Sequence, residues 1–340
     1  MNLKEFSAKL GLSPTTVSRA LGGYSEVNED TRKRVAEAAQ FHGYRPNPRA
    51  RSLATGQSFS IAHVLSRSNQ NELVNPIFGD FIAGATLASS SKGYDILLTL
   101  ADEGNEEAVY RKFKSEGIVA GLILQAPTTN DERIAILRDI GLPFVVHGRA
   151  TEVDLPYSWV DVNNHRAFKR ATSFLTDLGH ERIGLINGRE EFDFAHRRRN
   201  GYRDALKDAG GLDDPALRVS GDMTESNGYA ATQKMLAGPT PPTAFVTASV
   251  MSAIGVRRAV SDMGLTLGED ISLIAYDDDL SYFSNRQTPP VFTAIRSSVR
   301  HAGEKALEML IAQIEGDPTE PDNLLLEAEL IVGASTGPVR

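Results

Sequence analysis

The segment Leu12-Ser13-Pro14-Thr15-Thr16-Val17-Ser18-Arg19-Ala20-Leu21-Gly22-Gly23 carries both ends of one short helix. Ser13 is a capping residue and Pro14 suits the first helical position, so together they start a helix. Gly22 and Gly23 end it. Upstream, Asn2 with Glu5 three residues later has the pattern of a capping box, and Leu3, Phe6 and Leu10 recur at helical spacing until Gly11. Downstream, Asn28 caps a third helix that carries Val35, Ala38 and Ala39 on its inner face, and Gly43 closes it. Two short helices joined by a tight glycine-containing turn make a helix-turn-helix. Its second helix must offer its N-terminal residues to base edges in the major groove. Pro14, Thr15, Ser18 and Arg19 are the candidates. An arginine can bridge O6 and N7 of one guanine. A solvated helical hairpin with Arg19 in water is the competing reading.

Charge favours a polyanion. The 340 residues carry a formal charge of −8, yet the first 57 hold nine Lys or Arg against five Asp or Glu. That leaves +4 on a small head and −12 on a large body. At 340 residues, two or three domains are expected. With 41% hydrophobic and 24% charged residues the composition is globular, which sets aside disorder and coiled coil. No apolar run reaches the ~18 residues of a membrane span. The opening Met1-Asn2-Leu3-Lys4-Glu5 has no apolar core of a secretory signal, so a cytoplasmic protein is expected. Cysteine is absent, which removes disulfides and thiolate sites.

After a connector at 46–57, rich in Pro and Arg, the pattern changes. Short apolar runs at 60–65, 94–100, 120–125, 143–147, 159–162, 182–186, 217–219, 244–247 and 271–276 read as strands. Helical stretches such as 78–93, 166–178, 198–209, 228–236 and 251–263 fall between them. This alternation predicts parallel α/β layers, here enough for two lobes with a ligand cleft between them. The expected plan is a helix-turn-helix domain at 1–45, a hinge at 46–57 and a core at 58–340. Within the core, 58–160 plus 292–320 is assigned to a first lobe, and 161–291 plus 321–340 to a second.

The segment 12–21 resembles the helix-turn-helix of the lactose/galactose repressor (LacI/GalR) family. So does Val27-Asn28-Glu29-Asp30-Thr31-Arg32-Lys33-Arg34-Val35. His42-Gly43-Tyr44-Arg45-Pro46-Asn47, followed by Ala50-Arg51-Ser52-Leu53, is similar to the segment entering that family's hinge helix. Body motifs follow in the family's order, including Asn75-Pro76-Ile77-Phe78, Leu178-Gly179-His180, Arg198-Arg199-Asn200-Gly201-Tyr202 and Ala275-Tyr276-Asp277-Asp278. The resemblance implies an N-terminal all-α helix-turn-helix domain plus hinge helix. A two-lobed α/β core with parallel sheets, like the periplasmic binding proteins, would follow. It implies a homodimer on a pseudo-palindromic operator with a central CG step, released by a small-molecule effector. By the same resemblance Thr16, Asn28, Tyr44, Asn47, Arg49 and Arg51 join the DNA-contacting set, and Leu53 matches a leucine that wedges into the minor groove. No leucine-rich heptad follows residue 330, so a dimer is expected rather than a tetramer.

In the cleft, Arg198 and Asp277 match the family's ligand-binding Arg and Asp, and Asp161 at another strand end is a third candidate. Asn75, Phe78, Met223 and Ser249 are added from their motifs, and His147 and Arg149 follow a strand end. Trp159, the single Trp, is read either as a stacking surface for a sugar ring or as core. Family members commonly carry Asn-Asp where this chain has Ser249-Val250. A sugar fits the polar set better than a nucleobase. Pro14-Thr15-Thr16 and Val145-Val146-His147-Gly148-Arg149 look similar to the α-glucoside- and maltose-responsive branch. Asp277-Asp278-Asp279 is read as a solvated acidic loop rather than a metal site, and no cofactor motif is found. No GxSxG, HExxH or Walker-A motif is present, so no enzyme is expected. A transport-type sugar-binding protein and a corepressor-dependent regulator stay as alternatives.

Overall fold

The computed structural model describes residues 1–44, 57–66, 74–102, 104–283, 285, 287–316 and 321–339. The chain divides into two compact units, 1–59 and 60–340.

In the first unit, α1 (Leu3–Leu10), α2 (Pro14–Leu21) and α3 (Glu29–Phe41) start as the sequence predicts. Asn2 and Glu5 form a reciprocal capping box, Ser13 Oγ accepts from Thr16 N–H, and Asn28 Oδ1 accepts from Thr31 N–H. Each bond satisfies a backbone donor that the first helical turn leaves without a partner. Gly11 ends α1 at φ 65°, a left-handed conformation that glycine adopts without strain. Phe6, Val17, Ala20, Val27, Val35, Ala39 and Tyr44 form the core.

The second unit holds two six-stranded sheets. Its strands are β1 (Ser60–Ser66), β2 (Asp95–Ala101), β3 (Gly121–Gln125), β4 (Phe144–His147), β5 (Ser158–Val162), β6 (Ile183–Asn187), β7 (Arg218–Ser220), β8 (Ala244–Thr247), β9 (Ser272–Asp277), β10 (Thr293–Arg296), β11 (Asn323–Leu326) and β12 (Glu329–Ile331). The first sheet runs β11-β5-β4-β3-β1-β2 and is parallel throughout. The second runs β12-β10-β9-β8-β6-β7, with only β12 antiparallel. Strands such as β8 and β9 are buried along their whole length, as helices on both faces require.

Around the first sheet pack α4 (Pro76–Lys92), α5 (Glu106–Ser115), α6 (Glu132–Ile140) and α11 (Val299–Glu315). Around the second pack α7 (Asn164–Asp177), α8 (Asp193–Asp208), α9 (Glu225–Leu236) and α10 (Val250–Asp262). The helices pair closely at glycines. A Cβ on Gly303 of α11 would sit 2.2 Å from the Phe81 carbonyl oxygen of α4, and one on Gly201 of α8 would sit 2.1 Å from that of His165 of α7.

Sheet membership corrects the expected lobe boundaries. Thr293–Arg296, assigned to the first lobe, pairs with β9 of the second sheet. Asn323–Leu326, assigned to the second lobe, pairs with β5 of the first. The backbone crosses between lobes around residues 163, 297–298 and 327–328. A crossing is a pairing choice made across the whole core, and no local hydrophobic period records it. β10, β11, β12 and α11 were absent from the sequence-based elements, the three strands being only three or four residues long.

Candidate functional site

The carboxyl ends of both sheets face one cavity of about 170 Å³. That is an order of magnitude more than the ~10–15 Å³ that one water occupies. Gln125 ends β3, His147 ends β4 and Asp161 lies near the end of β5, while Ala248 follows β8 and Tyr276 and Asp278 lie at the end of β9; all line it. This is where open parallel sheets place ligands.

The two walls differ. On the first lobe, Ile77, Phe78 and Phe81 of α4 and Val299 and Ala302 of α11 present an apolar surface. Phe81 stacks on the His147 imidazole with ring centroids 4.5 Å apart. Burial lowers the pKa of His147 to about 4, so the ring is neutral at pH 7. His63, behind this wall against Phe78 and Phe81, is lowered further, to about 3, by its own burial and by His147 and Arg133.

The second-lobe wall is polar. Arg198 is 5% exposed; its Nε donates to Asn164 Oδ1 at 2.7 Å and its Nη1 to the Ala248 carbonyl at 2.9 Å. The guanidinium lies 3.9 Å from the centre of the Tyr276 ring and 4.9 Å from that of Phe194. Among the described residues no carboxylate reaches it within ion-pair distance. Burial lowers its pKa. Asp278 faces the same cavity, and burial followed by the neighbouring Asp277 pushes it up to about 7 against the attraction of Arg198. Among the described residues the cavity thus offers the Arg198 cation, the Asp161 and Asp278 carboxyls, the latter poised near neutrality, and amide and hydroxyl groups. That set suits a ligand rich in hydroxyls.

The sequence-predicted residues separate on the structure. Asn75, Phe78, His147, Asp161, Arg198 and Met223 line the cavity. Arg149 does not; its Nε donates to Asp161 at 2.8 Å and its guanidinium lies 4.8 Å above the Trp159 ring. Trp159, partly buried, packs against the core of the first lobe and does not line the cavity. Ser249 caps α10, accepting from Ser252 N–H, and the neighbouring Ala248 lines the cavity instead. Asp277 is withdrawn into an ion pair with Arg296 at 3.0 Å and accepts from Asp279 N–H; Asp278 takes the cavity position. Asp277 and Asp278 are therefore buried, not part of a solvated acidic loop. The reason is register: a strand alternates its side chains, so adjacent residues at its end point to opposite sides. Phe81, Asn164, Phe194, Tyr276 and Asp278 were missed. Phe81 stands three residues after Phe78 on one helix face, a spacing that carried the signal.

In the first unit, Pro14, Thr15, Ser18 and Arg19 are exposed on α2, and Arg19 pairs with Glu26 at 2.8 Å. Thr16 is half-buried, its hydroxyl 2.8 Å from Ser13 Oγ. Asn28 is exposed but spends its side-chain oxygen on the α3 cap. Tyr44 is not a surface residue: it is buried and stacks on Phe6 at 4.3 Å, because a short three-helix unit needs its aromatic residues for a core. Asn47, Arg49, Arg51 and Leu53 lie outside the described residues. No described helix is long and apolar enough to cross a membrane.

Comparison with known proteins agrees with this architecture. Residues 2–47 match the bacterial regulatory proteins of the lacI family, and residues 172–336 match the periplasmic binding protein-like domain. The chain is 42% identical to the HTH-type transcriptional regulator AglR of Rhizobium meliloti (strain 1021), over 99% of this chain and 95% of that protein. It is similar to the transcriptional regulator CelR–cellobiose complex, with TM-score 0.73 and 29% identity over 98% of this chain and 99% of that one. It also resembles the lac repressor dimer bound to operator and the anti-inducer ONPF, with TM-score 0.79 and 25% identity over 99% of both chains. With a helix-turn-helix head, a two-lobed parallel core and this full-length likeness, the chain belongs to the LacI family of bacterial regulatory proteins.

Proposed function

We propose that this regulator is a homodimeric DNA-binding repressor controlled by a sugar, α-glucoside-like, that binds between the lobes and releases a pseudo-palindromic operator. The observation that carries the reading is Arg198: a buried guanidinium facing a cavity, with no carboxylate within ion-pair distance among the described residues. Burying such a charge without a close counter-ion is unfavourable, and ligand hydroxyls accepting from the guanidinium relieve it. Asp278 and Asn164, which line the same cavity, complete the recognition of a ring of hydroxyls, while Phe78 and Phe81 offer an apolar surface to the less polar face. Cellobiose in the related CelR complex supports the ligand class.

On the DNA side, Thr15, Ser18 and Arg19 read base edges and the positive head supplies the phosphate attraction. The ligand shifts the balance between DNA-competent and DNA-incompetent lobe arrangements only by its difference in affinity for them. The test is a fluorescence-anisotropy titration of palindromic DNA with a central CG step, against salt and a panel of α- and β-glucosides. Tight, salt-sensitive binding that an α-glucoside relieves supports the reading. Binding strengthened by a sugar makes it a corepressor-dependent regulator. No preference over scrambled DNA, with a sugar still raising the melting temperature, makes the chain a sugar-binding protein of the solute-binding type.

A further inference from the structure

Behind the cavity, buried charged side chains join the lobes. Asp161 of β5 lines the cavity at 3% exposure. Its Oδ2 accepts from Arg149 Nε at 2.8 Å within the first lobe and from Arg197 Nη1 of α8, in the second lobe, at 2.6 Å. The Nε of Arg197 donates to Asp193 at 2.6 Å. Asp193, fully buried, returns to the first lobe by accepting from Thr151 Oγ1 at 2.6 Å and Thr151 N–H at 3.1 Å. One guanidinium therefore closes a loop that crosses between the lobes twice. The same loop touches the ligand-facing groups: Asn164 donates to Asp161 Oδ1 at 3.3 Å and accepts from Arg198.

Arg197 is also one acceptor short. Its Nη2 is buried with no hydrogen-bond partner among the described residues. Its tie to Asp161 must compete with Arg149 for a single carboxylate oxygen. An additional donor arriving from the cavity side lowers the negative charge that Asp161 offers to Arg197 and weakens the link that holds the lobes together.

From this geometry we propose that Arg197 is the positioning residue that, through Asp161, couples occupancy of the cavity to the relative arrangement of the lobes. This needs only the two-lobed core and a ligand that donates to Asp161, whatever its identity. Asp80 of α4 also joins the lobes, accepting from Ser281 N–H and Oγ at 2.7 and 2.6 Å, but its carboxylate does not line the cavity.

The chain has no cysteine, so spin labels at Lys92→Cys and Leu212→Cys report the lobe-to-lobe distance in the full-length protein without background. In ligand-free protein, Arg197→Met combined with Asp193→Asn removes the guanidinium together with one of its two carboxylate partners, and Thr151→Val removes only the hydroxyl at the crossing. Asp161→Asn weakens the same tie from within the cavity. Each is expected to add a longer component to the distance distribution, with the melting temperature of Thr151→Val within ~2 °C of the parent. Combining Asp161→Asn with the Arg197 pair is expected to add no further shift, as groups in series do not add. Distances unchanged in all three variants, or shifts that simply sum, overturn the proposal. Because neither DNA nor sugar enters this experiment, its failure is separate from that of the repressor reading.

Discussion

Arg198 and Asp278 face one cavity yet respond to opposite demands. For Arg198 the demand is partners. Arg198→Ala removes a charged donor to ligand hydroxyls, an interaction worth about 1.5–3 kcal/mol, so ligand affinity is expected to fall about 10- to 100-fold. DNA affinity without ligand should stay within about twofold. Isothermal titration and anisotropy measure the two separately; loss of DNA binding would make Arg198 a structural residue. For Asp278 the demand is a proton. Its folded pKa of about 7 lies above the ordinary 3.8 because of burial. A raised folded pKa means stability that is full below the unfolded pKa and is lost as pH climbs from about 4 to about 7. Asp278→Asn removes that loss. The variant should melt a few degrees (~3–8 °C) above the parent at pH 8, with the gap closing towards pH 4. A gap constant across that range would show that the carboxyl titrates normally. His147 and His63, both lowered by burial, act in the other direction: their contribution is lost as pH falls from about 6.5 to about 4 for His147 and to about 3 for His63. They are common to both proteins and drop out of the difference.

At the scale of elements, α4 and α11 form one wall of the cavity and touch at Gly303. Gly303→Ala forces a methyl to within 2.2 Å of a carbonyl that cannot turn away, so the pair must separate. Overpacking of this kind costs about 1–3 kcal/mol. The melting temperature is expected to fall by ~2–10 °C and ligand affinity to drop with it, since Phe81 and Ala302 flank the contact. Unchanged affinity would mean the wall repacks locally. The helix starts of the head were the most legible because each carries its own cap: Asn2 with Glu5, Ser13 with Pro14, and Asn28. Most strands of five or more residues were also legible as apolar runs. The side to which the β9 end points its acids was not. Asp277 and Asp278 are equivalent as letters, and the alternation at the end of β9, with Arg296 beside one of them, decides which is left for the ligand.

For the whole molecule, the separation into two compact units makes a further prediction. Phe6 is fully buried at the centre of the head and stacked on Tyr44. Phe6→Ala costs about 3–5 kcal/mol, more than so small a core can spare. The head should unfold and DNA binding disappear, while calorimetry still shows the main transition of the body and the same ligand affinity. Loss of both together would show that the units fold as one. Likeness along the chain's length made the family legible from short motifs, but the exchange of β10 and β11 between lobes was not, because it depends on which sheet edge stands open once everything else has packed.

That exchange also sets an order of events during synthesis. The three helices of the head are complete by Phe41, before any strand of the body has been made. The first sheet, by contrast, waits for its edge at Asn323–Leu326, and the second for Glu329–Ile331. A nascent chain therefore carries a finished head for most of the time its body is being translated. Any product cut short before residue 323 keeps the head and lacks an edge strand of each lobe. Premature termination in this protein should yield a reader of DNA that has lost its listener.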